Sequence, residues 1–91
     1  MVFEPLHVKE LGTGGATIET GFPLPLNSLH DLRLTLETDV VVVKARVVHS
    51  HVGEVDGEGV RYRSGMEFVE PPAYVGAAIT AYLEALRGRR P

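Results

Sequence analysis

"LHDLRLTLETDVVVVKARVVHS", residues 29 to 50, decides how the chain folds. Leu32, Leu34 and Leu36 alternate with Arg33, Thr35 and Glu37, the period of two that sends every second side chain to one face of a strand. Thr38 and Asp39 then supply turn chemistry, so a β-hairpin follows. Its returning arm, Val40 to His51, opens with β-branched residues that face both ways and alternates regularly only from Lys44 through Arg46 to Ser50. Central burial is expected to give way to a solvated end.

Beyond the hairpin, "GEVDGEG" (53 to 59) has three glycines and three acids in seven residues, a composition that reads as an exposed loop between strands. "VRYRSGMEFVE" (60 to 70) returns to extended structure, with Gly65 as a bulge. After Pro71 and Pro72, the spacing of Val75, Ile79, Tyr82, Leu83 and Leu86 draws one apolar stripe along a helix. That spacing predicts an amphipathic helix over residues 73 to 87, started by the prolines and ended at Gly88.

On the other side, Phe3 to Leu11 is a weaker strand candidate, and "ELGTGGATIET" (10 to 20) is a glycine cluster leading into a strand. Ala16 and Ile18 occupy one face of that strand, Thr17 and Glu19 the other. Glycines before a regular element can cradle an anion or simply turn the chain. A dinucleotide fingerprint on Gly12 and Gly14 would need glycine where Thr17 stands, and no Gly-Lys-Thr or Gly-Lys-Ser forms a P-loop. The cluster is read as a structural turn. "GFPLPLNS" (21 to 28) interrupts pairing through its prolines, although Leu24 and Leu26 can dip inward. Five or six antiparallel strands between residues 3 and 70, with a helix over an open side, make a mainly β chain and a small barrel.

The 91 residues are the length of one domain, 1 to 91, able to bury a modest core. The absence of cysteine excludes disulfides, thiolate metal sites and thiol nucleophiles. Twelve acids against nine bases give a net charge of −3, which excludes general attraction to nucleic acid or anionic lipid, so any anion site is local. Neither a membrane-spanning stretch nor a signal-peptide pattern is seen, and a cytoplasmic location is expected.

Catalytic groupings are thin. Ser50 stands between His49 and His51, and alternation turns it away from both rings. The two histidines share a face but supply only two metal ligands, fewer than a site needs; no metal, cofactor or enzymatic activity is expected. Arg61 and Arg63 project from one strand face and can fork a phosphate bidentately, or else balance Glu58, Glu67 and the acidic loop. Arg87 meets the negative end of the helix dipole, with Arg89 and Arg90 beyond Gly88 as tail or partner contact.

Read in order, "GGATIET", the leucine strand, the valine strand ending "KARVVHS", "YRSGMEFVE" and the final helix resemble the PilZ domain family over nearly the whole chain. The resemblance implies a six-stranded antiparallel barrel with a C-terminal helix, in a bacterial cytoplasmic regulator whose best-known ligand is cyclic di-GMP. Family binding uses an R-x-x-x-R segment together with D/N-x-S-x-x-G. The second motif maps onto Glu10-Leu11-Gly12-Thr13-Gly14-Gly15: the acid is lengthened, Gly12 replaces the serine, and Gly15 is kept. The first motif is absent, no arginine preceding Arg33, and each charge-assisted hydrogen bond lost is worth about 1.5 to 3 kcal/mol.

The resemblance therefore implies a non-enzymatic adaptor working through protein contacts, as ligand-independent members linked to type IV pili or motility do. Its surface is sought at the barrel edge, on "GFPLPL" with Phe22, or on the helix. The alternative keeps cyclic di-GMP or another nucleotide as ligand. Glu10, Gly12 and Gly15 then line the degenerate motif, and Arg61 and Arg63, or a cation from a second subunit, substitute for the missing arginines.

Overall fold

The hairpin of leucines and valines is the spine of a five-stranded sheet. A computed structural model describes residues 7 to 88, so the Phe3 end of the first expected strand, Arg89 and Arg90 lie outside the described residues. Within them run β1 (His7–Leu11), β2 (Gly15–Thr20), β3 (Leu29–Leu36), β4 (Asp39–Asp56), β5 (Gly59–Phe68) and α1 (Ala73–Gly88). All pairings are antiparallel, in the order β1-β2-β5-β4-β3. Among the described residues there are thus five strands rather than six, curled into a half-barrel that stays open between β1 and β3. The segment from Gly21 to Ser28 forms no strand of its own, its prolines lacking the N–H a ladder needs.

One face of the curl is the core. Leu32, Leu34 and Leu36 of β3 meet Val41, Val43 and Ala45 of β4, and Val47, Met66, Phe68, Ala16 and Ile18 extend the same apolar layer. Val75 and Ile79 of α1 are wholly buried against it, Tyr82 and Leu83 pack beside them, and Leu86 is left partly outside. The helical stripe thus covers the open side with its first two turns. Leu24 dips inward, whereas Leu26 does not: it is 62% exposed.

Several local expectations are corrected. The first reversal uses Glu37 and Thr38, one residue earlier than Thr38 and Asp39, with Glu37 at φ 56 and Leu36 paired to Asp39. Val40 to Val43 do face both ways, Val41 and Val43 inward and Val40 and Val42 outward, but the outward pair is exposed rather than covered, so the alternation of buried and exposed residues runs from the start of the arm. Residues 53 to 59 are not a loop. β4 continues through them to Asp56 and reverses over Gly57 and Glu58, where the Glu58 amide donates to Asp56 Oδ1 at 2.8 Å. Backbone pairing there outweighs the polar composition.

The bulge expected at Gly65 lies across the ladder instead. Register shifts between Val47 and His49 of β4, leaving Val48 as the extra residue, and again between Val52 and Glu54, at Gly53. Gly65 has a different task. A Cβ there would run into the His49 ring, so the missing side chain makes the seat for that imidazole.

Candidate functional site

The glycine turn is closed on itself. Gly12 N donates to Gly15 O at 2.9 Å, Phe68 N donates to Gly14 O at 2.9 Å, and Leu11 pairs with Ala16. Gly15 lies so close to β5 that a Cβ would collide with the Met66 carbonyl. The retained glycine of the motif is therefore required for strand packing, and the Gly12 amide is already committed to the backbone. Glu10 projects from β1 opposite Thr17, which in turn faces Gly65 on β5. Glu10, Gly12, Gly15, Thr17, His49 and Gly65 line a shallow basin of about 360 Å³ on the outer face of the sheet.

One row along that face stands an ion cluster that the sequence pattern does not disclose. Glu19, on the face of β2 opposite Ala16 and Ile18, is buried, its side chain only 4% exposed. Arg63 lies opposite it in the β2–β5 register, Arg61 reaches it from the same strand, and Lys9 comes across from β1 at the irregularity between Val8 and Glu10. Arg61 Nη1 donates to Glu19 Oε1 at 3.4 Å, while Lys9 Nζ and Arg63 Nε stand 3.6 Å from Oε2, as ion pairs rather than hydrogen bonds. The cover is one layer thick, because the three cationic side chains are themselves about 40% exposed. Burial works to raise the Glu19 pKa; the charges of Lys9, Arg61 and Arg63, with the Arg61 hydrogen bond, outweigh it and hold the carboxyl below its ordinary value.

Arg61 and Arg63 do share a face, and their carboxylate is Glu19 rather than Glu58 or Glu67. Three cations on one carboxylate leave the cluster two charges positive. Arg63 also lies across Gly53 and pairs in register with His51. The His49 and His51 rings stack at a centroid distance of 6.0 Å on this outer face. Ser50 turns the other way and accepts a hydrogen bond from Ser64 at 3.2 Å. Among the described residues no three potential metal ligands converge.

A second concavity opens at the gap between β1 and β3. It is a groove of about 740 Å³ with Ile18, Leu32, Leu34 and Leu36 against Tyr82 and Leu83 of the helix. No described helix is long and apolar enough to cross a membrane.

No protein-family model and no curated protein matches the chain. A solved structure does: that of K. pneumonia MrkH in its apo state, 22% identical, superposes with a TM-score of 0.71 over 92% of this chain and 43% of that one. The likeness is one of fold, and this chain spans less than half of that protein. The shared architecture is mainly β and PilZ-like, a curled antiparallel half-barrel with a C-terminal helix.

Proposed function

We propose that the chain is a non-enzymatic regulatory module of PilZ type, comprising residues 1 to 91, that acts in the bacterial cytoplasm through contacts with another protein. It does not seat cyclic di-GMP in the manner of the family motif. The observation that carries this reading is the arrangement around Glu19: both arginines able to fork a phosphate are turned to a carboxylate of their own sheet, and Lys9 is drawn there too. The glycine turn adds neither a cation nor the Gly12 amide, which its own backbone occupies. For the partner, the connection between β2 and β3 offers Phe22 and Leu26, apolar and substantially exposed on a segment without strand partners. Control of pili or motility is the setting in which such adaptors work.

A second reading is favoured by the basin beside the turn. Its floor of Thr17 and Gly65 is a single residue row, about 7 Å by strand geometry, from Glu19 and Arg63, and the cluster there keeps excess positive charge. A phosphate displacing Glu19 from the guanidiniums would use Arg61 and Arg63 with Glu10, Gly12 and Gly15 at the rim. That the MrkH structure is described as apo fits a fold that takes a ligand.

Calorimetric titration with cyclic di-GMP separates the two. The adaptor reading expects no saturable heat for the protein or for Arg63→Ala. Micromolar binding that weakens at least about tenfold in Arg63→Ala, a loss of about 1.4 kcal/mol, overturns it in favour of the nucleotide.

A further inference from the structure

Among the described residues, the outer half of β4 has a strand partner on one side only. β3 covers its other edge as far as Arg46, and residues 27 and 28 bond to Val47; from His49 to Asp56 that edge carries no strand among the described residues. An uncovered edge is a row of backbone donors and acceptors able to template another strand. Here its last part, from Glu54, belongs to a two-stranded ribbon projecting past the Thr20 end of β2, which lies in the row of Tyr62 and Val52; Val52, Val55 and Val60 are exposed. An isolated two-stranded ribbon is marginal in water.

The order of residues on this edge names the occupant. Gly53 is the extra residue of a bulge. With it set aside, the segment His49, Ser50, His51, Val52, Glu54, Val55, Asp56 read against its own reverse gives two histidine–carboxylate pairings and one valine–valine pairing, with Ser50 opposite Val55. Antiparallel pairing about Val52 places His49 opposite Asp56 of a second copy, His51 opposite Glu54, and Val52 opposite Val52. The bulge also keeps the faces in step: His49, His51, Glu54 and Asp56 share the outer face, and Ser50, Val52 and Val55 the inner one. Imidazole N–H donors then meet carboxylates, while valines meet across a two-fold axis. An isologous contact requires this self-complementarity.

We infer that the β4 edge from His49 to Asp56 is a homodimerisation strand, joining two half-barrels into one continuous sheet. The inference does not depend on whether cyclic di-GMP binds, and its test contains no nucleotide.

Light scattering over a concentration series, with sedimentation equilibrium, is expected to show a concentration-dependent dimer. Glu54→Lys/Asp56→Lys removes the acceptor from all four imidazole–carboxylate pairs, and His49→Glu/His51→Glu sets carboxylates opposite carboxylates at four places; each is expected to weaken the dimer at least about tenfold. An equimolar mixture of the two restores it, because in the mixed dimer each lysine faces a glutamate and each imidazole a carboxylate. Circular dichroism of each variant establishes that the fold is retained. As a check that leaves charge alone, Val52→Cys treated with oxidised glutathione is expected to give a disulfide-linked dimer. Val42→Cys, equally exposed at 54% but on the stretch that β3 covers, is not. A wild type that stays monomeric up to roughly millimolar concentration overturns the proposal, the bulges then protecting the edge. So does a dimer indifferent to both charge reversals, or one linked as well through residue 42 as through residue 52.

Discussion

The two ends of the β4–β5 ribbon are kept on common faces across two bulges and have opposite surroundings. At the near end Val43 and Val47 are buried beneath the helix and beside Met66; at the far end Val52 and Val55, of the same residue type and on the same inner face, lie open. Alternation determines which face a side chain takes, and neighbouring elements determine whether that face is dry. β3, β2 and α1 cover the near end; β3 stops opposite Arg46, and β2 ends at Thr20 in the row of Tyr62 and Val52, short of Val55. The lesson is that a strand can be identified from its own residues while its burial belongs to others.

Substitutions at the two ends test this contrast directly. Met66→Ala, at the near end, is expected to cost about 2 to 5 kcal/mol in denaturant unfolding, the transfer term of the lost side chain plus the cavity it leaves. Urea titration followed by circular dichroism measures it; a loss near zero would mean that the half-barrel is not packed as described. Gly15→Ala, where the ribbon accepts β2, should cost about 1 to 3 kcal/mol because the added methyl meets the fixed Met66 carbonyl. Gly65→Ala is expected to cost less: its obstacle is the exposed His49 ring, which can swing away.

A pH titration sharpens the comparison on the outer face. The folded-state pKa of Glu19 is depressed, so its contribution is present in full above the ordinary glutamate value and is lost as pH falls through that value and then through the folded one. Stability of the wild type should therefore decline more steeply on the acid side than that of Glu19→Gln, whose own loss is felt at neutral pH. The effect is modest, since the cations around Glu19 are partly solvated and screened. Parallel acid limbs for the two proteins would remove the cluster from the account. Smallest of all, Val55→Ala at the far tip should change the stability of dilute protein by no more than about 0.5 kcal/mol.

Most of the strands and the helix were legible because their signals are local: leucine alternation for β3, the i, i+4, i+7 stripe for α1. The acidic tip misled because composition outvoted register. Three glycines and three acids resemble a loop, yet a two-residue turn lets both arms continue as paired strand. The candidate site was legible only in part. That Arg61 and Arg63 share a face follows from alternation alone; that Glu19 is their partner depends on β2 pairing with β5, which nothing near residue 19 announces. The same nonlocal pairing explains why Gly15 is glycine, whereas it is the β4–β5 register that puts the extra residue at Val48 rather than Gly65.

That pairing also bears on how the molecule is assembled. Hairpins β3–β4 and β4–β5 are built from neighbouring residues and can close early, whereas the first hairpin must wait for Gly59–Phe68 to emerge before Thr17 finds Gly65. On the ribosome, Ile18 and Ala16 spend the longest interval without a surface to adhere to. The N-terminal quarter of the chain is thus where a trigger-factor-like chaperone would have most to shield, and where a pause in synthesis would be most dangerous.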